Sequence, residues 1–279
     1  MRAANPRAVD AATLLLQAVL VFAVAFIYAN LGLGGGLLFV PILLSTGVGA
    51  SAVAVPVSLT FTIATATSSV INHRRKGLVD FRLGGTLVAG ALVGAVVGTF
   101  FTLFFLVDEW TFKAFFTAVL LAFGAYMLVD WVRNARAVDE DDDSKMTPPR
   151  KAGVTAATVG SGFLSGSMGI GGGLLNVPLL VYGLGRKTRK AIGTSSLLII
   201  PTAAVGFATY VANLAFQPAG FAWPPEFVLI PVLFPIVFVG AYLGSRWGLR
   251  ALRTRPVALI FILVLFVAAA KLVYDLAVA

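Results

Sequence analysis

The chain has 279 residues, of which 59% are hydrophobic and only 12% charged, and its mean hydropathy is +0.95. This composition excludes an ordinary soluble domain and is typical of a protein that crosses a membrane several times. The net charge of +9 does not indicate a nucleic-acid partner, because the Lys and Arg residues lie in short segments between apolar runs, and the absence of cysteine excludes disulfides and thiolate chemistry.

The first apolar run is the longest, since no Asp, Glu, Lys or Arg occurs from Ala11 to His73. Arg2 and Arg7 precede it, as in a signal peptide, but the run is far longer than the apolar core of a signal peptide. Each later uncharged run can hold one span of about 20 residues. These runs are Leu83–Val107, Ala114–Val129, Ala152–Gly185, Ala191–Pro225, Phe227–Ser245 and Pro256–Ala270.

A glycine-rich motif, "GLGGGLLFVPILL" at Gly32–Leu44, interrupts the first run. Lipid offers no partners for unpaired backbone groups, so a glycine break predicts a tip that is buried in protein. A single helix over Ala11–Leu44 would be about 50 Å long, against a hydrocarbon core of about 30 Å. We therefore expect a re-entrant helical hairpin, with a short helix that starts near Gly36.

The same motif recurs as "GIGGGLLNVPLLV" at Gly169–Val181, with nine of thirteen positions identical at an offset of 137. Ser58 pairs with Ser195 and Thr65 with Thr202 at this offset. The sequence therefore predicts an internal duplication: a first membrane repeat (1–132), a charged cytoplasmic linker (133–151), expected to be flexible, and a second membrane repeat (152–279).

Further glycines pair between the halves at an offset of 146, because the second copy has extra residues around "FQPAGFAWPP". Gly94 and Gly98 pair with Gly240 and Gly244. Small residues at four-residue spacing let helices approach closely. We interpret these glycines as helix-packing positions.

Lys and Arg residues concentrate in cytoplasmic loops and so discriminate between topologies. Eight simple spans would put twelve of these residues inside and nine outside, whereas three crossings per half plus a hairpin would put seventeen inside and four outside. An odd number of crossings makes the halves antiparallel. The predicted fold is an all-α polytopic membrane protein of two inverted-topology repeats, each a glycine-broken re-entrant hairpin followed by three spanning helices.

Each predicted hairpin would leave a half-helix whose first N–H groups lack intrahelical partners. Such amides, at the positive end of a helix dipole, form an anion site, and glycine allows a ligand to approach the backbone. Uncharged hydroxyl and amide side chains nearby suit an anion that must be released again. The predicted binding residues are Gly34, Gly35, Gly36, Ser58, Thr65, Gly171, Gly172, Gly173, Asn176, Ser195 and Thr202.

With these motifs, "RRKGLVDF" at Arg74–Phe81 and "AIGTSSLLIIPT" at Ala191–Thr202, the chain resembles the sulfite exporter TauE/SafE family, also called the four-toluene-sulfonate uptake permease family. The resemblance covers nearly the whole chain. It implies a secondary transporter of the bacterial cytoplasmic membrane that moves sulfite, sulfonates or sulfoacetate-like anions by alternating access. Asp80 has no counterpart in the second copy.

The alternatives are an anion channel or a carrier for another small anion, because pores and carriers share polar helix ends. An intramembrane serine protease with Ser165 as nucleophile is disfavoured, since the one histidine, His73, lies in a basic loop. The residues indicate no enzyme, cofactor or metal. The expected partners are a small anion and the lipid bilayer, while a co-transported proton and the oligomeric state stay open.

Overall fold

This structure is a computed structural model of the chain, and it describes residues 11–48, 51–133, 138, 140–216, 223–251 and 254–278. Arg2 and Arg7, which precede the first apolar run, lie outside the described residues. So do 134–137 and 139 of the linker and 217–222 of the extra segment in the second copy.

The described residues form helices and connecting turns, with no strand among them. The first half contains α1 (Ala11–Tyr28), α2 (Gly36–Ser45), α3 (Ser51–Arg74), α4 (Phe81–Phe105) and α5 (Glu109–Arg133). The second half contains α6 (Pro148–Met168), α7 (Gly173–Pro178, followed by a π-helical turn, Leu179–Gly183), α8 (Thr188–Ala215), α9 (Leu229–Ala251) and α10 (Thr254–Val278). The predicted all-α class is confirmed, and α6 begins inside the stretch that the sequence assigned to the linker.

The two halves repeat the same five helices in the same order. α2 begins at Gly36 and α7 at Gly173, which keeps the offset of the sequence repeat. Six described helices are long and apolar enough to cross a membrane: α1, α3, α4, α5, α8 and α9. The chain is therefore a multi-pass membrane protein, as the composition predicts.

Each half opens with a helical hairpin. Gln17, near the middle of α1, donates from Nε2 to Thr46 Oγ1 at 2.7 Å, just beyond the end of α2. The equivalent pair in the second half is Val154 and Gly183, where a Cβ on the glycine would lie 2.9 Å from a Val154 methyl group. A contact between these positions requires α2 and α7 to fold back along α1 and α6, as the glycine breaks predict.

The helices α3 and α8 pack together near the centre of the molecule and run in opposite directions. Ser196 Oγ donates to Ser69 Oγ at 2.9 Å. Ten residues earlier in α3, Leu59 lies beside Gly206, ten residues later in α8. Because α3 and α8 are the third helices of their respective halves, corresponding helices of the two halves pack against each other in an antiparallel arrangement.

The linker docks onto the segment between α7 and α8. Arg186 Nη1 lies 3.0 Å from Asp143 Oδ1, and its Nη2 lies 3.6 Å from Asp80 Oδ2. Lys190 Nζ lies 3.3 Å from Asp141 Oδ2. Eight simple spans would put the linker and this basic segment on opposite faces of the membrane, so the ion pairs exclude that topology.

The docked linker also has an electrostatic consequence at Asp141. Its partial burial tends to raise the pKa of the carboxyl group, but a hydrogen bond from the Lys187 amide and the charge of Lys190 outweigh burial and lower the pKa below its usual range. Because the pKa of Asp141 is lowered in the folded state, its ionised carboxylate stabilises the docked linker at pH values above the ordinary pKa of Asp. This stabilisation is lost as the pH falls through the folded-state pKa.

Glycines allow the long helices of the two halves to pack closely against each other. Gly94 of α4 lies against Val159 of α6, and a Cβ there would overlap the Val159 carbonyl oxygen. Gly240 and Gly244 of α9 contact the backbone of α1 at Phe22 and Phe26. The interpretation of these glycines as packing positions is confirmed.

We expect Gly94→Ala to destabilise the protein, because its methyl group would force α4 and α6 apart, and overpacking of this kind costs about 1–3 kcal/mol. The matched control is Gly85→Ala on the same helix, where an added Cβ meets nothing within 4 Å. That change should be neutral or stabilising by up to about 1 kcal/mol from helix propensity. Melting temperatures in detergent test this prediction, and equal values for the two variants would contradict it.

Candidate functional site

The glycine motifs form two breaks with the same backbone geometry. Gly32, Gly34 and Gly35 have φ of 68°, 81° and 93°. The corresponding residues of the second break have φ of 71°, 82° and 73°; they are Gly169, Gly171 and Gly172. L-residues with side chains rarely adopt these dihedrals, so the repeated glycines are required by conformation.

The two breaks cross each other in direct contact. A Cβ on Gly36, the first residue of α2, would overlap the carbonyl oxygen of Gly169. Reciprocally, a Cβ on Gly173, the first residue of α7, would lie 2.5 Å from the carbonyl oxygen of Gly32. The starts of the two short helices therefore meet at one place, and the fourth glycine of each motif is required by close packing.

The first amides of both short helices lack backbone acceptors among the described residues. In α2 the carbonyl of Gly35 accepts from the amides of Leu38 and Phe39, whose N···O distances are 3.1 and 3.2 Å. Among the described residues, the amides of Gly36 and Leu37 have no carbonyl acceptor. The corresponding amides of α7, those of Gly173 and Leu174, have none either. Two sets of free donors thus start side by side.

Serine hydroxyls clamp each break to the opposite half. Ser58 Oγ on α3 donates to the Gly169 carbonyl at 3.1 Å, and Ser195 Oγ on α8 donates to the Gly32 carbonyl at 2.8 Å. All four residues are related by the repeat offset. Both serines have 0% of their surface exposed. Their hydroxyls therefore satisfy buried carbonyls of the breaks, and the Gly169 carbonyl also accepts from Thr62 Oγ1 at 3.4 Å.

Thr62 and Ile199 lie between the two breaks, at equivalent positions of α3 and α8. The Thr62 methyl group is within 2.9 Å of where a Cβ on Gly34 would lie, and it also faces Gly171. Ile199 faces the same two glycines. Neither residue is among the predicted binding residues, although the repeat offset pairs them and so could have indicated their shared position.

The second break is more polar than the first. Asn176, on α7, has its side-chain oxygen 2.6 Å from Ser161 Oγ, which also lies 2.9 Å from the Gly172 carbonyl. Phe39 and Val24 occupy the equivalent positions of the first half. The sequence prediction included Asn176 but missed Ser161.

Two predicted residues bond within their own helices. Thr65 Oγ1 donates to the Phe61 carbonyl at 3.0 Å, and Thr202 Oγ1 donates to the Leu198 carbonyl at 2.7 Å. Both hydroxyls thus have acceptors one turn earlier in α3 and α8, and no described contact joins them to the glycine breaks. The described contacts instead bring together the six predicted glycines, Ser58, Ser195 and Asn176.

Ser165 and Ser167, in the last turn of α6, carry buried hydroxyls next to the second break. Both residues have 0% exposure, and neither hydroxyl has a hydrogen-bond partner among the described residues. A buried hydroxyl without a partner is uncommon and suggests a site for water or a ligand. His73 bonds instead to Ser69 on α3, so the structure gives Ser165 no histidine base.

A groove of about 610 Å³ lies apart from the crossing, between α5 and the α6–α7 hairpin. Its lining is mostly apolar and includes Phe123, Leu164, Leu175 and Leu179. The π-helical turn after α7 forms one wall. A small anion gains little from such a surface, so the crossing of the breaks is the better candidate for a polar site.

Comparison with known proteins places this chain among membrane transporters. The sequence profile described as "Sulfite exporter TauE/SafE" matches residues 17–272. A probable membrane transporter protein of Xylella fastidiosa (strain 9a5c) is 33% identical over 63% of this chain and 66% of its own length. Probable membrane transporter protein YunE of Bacillus subtilis is 24% identical over 88% of this chain and 92% of its own. No solved structure matches the chain at a comparable level.

Proposed function

Because this chain belongs to the sulfite exporter TauE/SafE family and is a membrane transporter, we propose that it moves small sulfur-containing anions, such as sulfite and sulfonates, across the cytoplasmic membrane by alternating access. The observation that carries this proposal is the meeting of two helix starts at the crossing of the breaks. Their amides without acceptors and their dipoles offer a positive potential without a fixed cation.

The surrounding side chains suit an oxyanion that binds and leaves. The bound anion would accept from the amides of Gly36 and Gly173 and from the unpartnered hydroxyls of Ser165 and Ser167. No Lys or Arg occurs in the first apolar run or between Ala152 and Gly185. A buried cation would hold the anion tightly and would be costly to place in the membrane, whereas amides and hydroxyls bind more weakly and reversibly.

Alternating access follows from treating the halves as inverted repeats. The antiparallel packing of α3 and α8 supports this assignment, because these helices correspond in the repeat. The reciprocal bonds of Ser58 and Ser195 support it as well, since each half holds the break of the other. In such a protein, rocking one half against the other exposes a central site to either face in turn.

Counterflow into proteoliposomes tests the proposal. Vesicles loaded with unlabelled sulfite, methanesulfonate, thiosulfate, sulfate or chloride would receive the same labelled anion outside. We expect saturable, accelerated uptake with a sulfur-containing anion, and a rise in melting temperature with the same ligand, since ligands stabilise the folded state that binds them. Non-saturable flux would favour the channel alternative, and preference for chloride would overturn the proposed substrate class.

We predict that the segments before α4 and before α8 face the cytoplasm and that the α4–α5 turn faces outward. Arg189→Cys and Asp108→Cys place single thiols at exposed positions of this cysteine-free chain. An impermeant maleimide added to intact cells should label position 108 rapidly and position 189 only after permeabilisation. The opposite pattern would contradict the predicted orientation.

A further inference from the structure

His73 is the one histidine of the chain, and it is buried at the end of α3 with 2% of its surface exposed. Its side chain lies close to α8, where a Cβ on Gly193 would be 3.0 Å from the His73 Cβ. A neutral imidazole can occupy such a position, but the group also titrates near physiological pH in water. No role in the proposed anion site accounts for it.

A line of hydrogen bonds connects His73 to the first break. The imidazole Nδ1 lies 2.8 Å from the Ser69 carbonyl oxygen, which can only accept, so Nδ1 carries the proton of the neutral ring. Ser69 Oγ donates to the carbonyl of Ala29 at 3.1 Å, where α1 ends, and accepts from Ser196. Ser196 follows Ser195, the serine that clamps Gly32.

The second half has no titrating imidazole at the corresponding place. Tyr210 is equivalent to His73 by the repeat offset, and its hydroxyl donates to the carbonyl of Gly166 at 3.2 Å. Gly166 is in turn equivalent to Ala29. Tyr210 therefore bonds directly to the carbonyl that precedes its break, whereas His73 is connected to the corresponding carbonyl through Ser69. Only the first half, however, could change its charge between about pH 5 and 8.

We propose that His73 is the proton-binding site of this transporter, and that its protonation is coupled to opening of the α3–α8 contact beside the first break. This inference deepens the proposed function, on which it rests, by naming a proton as the co-substrate. A hydronium ion on the α3–α4 side transfers its proton to Nε2, because Nδ1 already carries one, and is left as water. The product is an imidazolium, and no other bond changes.

The coupling follows from the charges around the ring. Lys76, just beyond α3, and Arg189, on α8, are positively charged and both oppose a positive charge on the His73 ring. The carboxylate of Asp80 is ion-paired with Arg186 and Lys190. On α9, Tyr242 bonds to Arg75 and adds no negative charge. An imidazolium is therefore favoured only in a conformation that admits water to the ring, so protonation shifts the population toward that conformation.

A thiol-accessibility experiment tests this coupling without any substrate. Ser196→Cys on α8, a buried position whose side chain bonds to Ser69 on α3, reports opening of the α3–α8 contact, and Gly153→Cys, at an exposed position, corrects for the pH dependence of the reagent. On acidification from about pH 8 to 5, we expect the labelling rate at 196, relative to 153, to rise several-fold with His73 and to stay constant in His73→Gln. The same rise in both backgrounds would overturn the proposal.

Two further measurements keep the outcome clear. The single histidine gives one set of imidazole nitrogen signals in NMR of the labelled protein, and an absence of titration in this pH range would overturn the proposal even if His73→Gln failed to fold. The second measurement is transport of methanesulfonate, which stays anionic over this whole pH range. Transport with the same pH profile in His73→Gln would refute the proton site alone, whereas pH-dependent labelling without transport of any anion would refute the proposed substrate class alone.

Discussion

Replacing Gly36 with alanine should abolish anion transport and lower the melting temperature more than any other single methyl addition considered above. The added Cβ would overlap the Gly169 carbonyl and would also approach Ile170, so the two breaks could no longer cross. Overpacking typically costs about 1–3 kcal/mol, and a contact between two backbones leaves no side chain to move aside. Gly173→Ala should act in the same way through Gly32.

The matched control for this substitution is Gly160→Ala on α6. An added Cβ there meets only a methyl group of Leu175 at 3.8 Å, which is an ordinary contact. It should therefore keep both transport and stability. Melting curves and counterflow would be measured on the same preparations, and wild-type behaviour of both Gly36→Ala and Gly173→Ala would show that the breaks do not cross in the membrane.

Removing the serine clamps should have the second largest effect. Ser195→Ala leaves the Gly32 carbonyl buried without its hydroxyl donor, and Ser58→Ala leaves the Gly169 carbonyl with only the longer bond from Thr62 Oγ1, at 3.4 Å. An unsatisfied buried acceptor costs about 1–3 kcal/mol. Because the two breaks touch, the double variant should depart from the sum of the single changes. The measurement is the free energy of unfolding or, where unfolding is irreversible, the melting temperature.

Thr209→Val on α8 separates the loss of a clamp from the loss of a hydroxyl. Thr209 Oγ1 donates to the Val205 carbonyl one turn earlier in the same helix, and that carbonyl keeps its helical partner after the change. We expect a much smaller destabilisation than for Ser195→Ala. If the two variants melted at the same temperature, the bond across the halves would contribute nothing beyond an ordinary helix hydroxyl.

Local chemistry made several features readable from the sequence. Consecutive glycines at Gly34 and Gly35, repeated at a fixed offset, indicate a backbone that residues with side chains cannot adopt, and the positive φ values agree. Long uncharged runs indicate membrane helices, because the bilayer core contains no water and a helix satisfies its own backbone hydrogen bonds. The distribution of Lys and Arg favoured three crossings per half, and the ion pairs of Arg186 with the linker agree with that choice.

The sequence did not indicate that the linker would dock. Its acidic residues and Pro148–Pro149 are typical of a flexible connection, yet the Asp142 amide donates to the Gly185 carbonyl at 2.7 Å. The attraction depends on Arg186 and Lys190 lying close to Asp141 in space, although more than forty residues separate them in the chain. Such a contact exists only after the second hairpin has folded back.

The sequence by itself determined the membrane class, the duplication and the backbone of the breaks, because each depends on composition or on local dihedral preferences. Only the tertiary structure decided what the polar residues bind. Ser58 and Ser195 lie on the same two helices as Thr65 and Thr202, yet the serines reach across to the opposite break while the threonines bond within their own helices. The difference arises because a hydroxyl donates to an acceptor within hydrogen-bond distance. The packing of α3 and α8 against the crossing decides which acceptor that is.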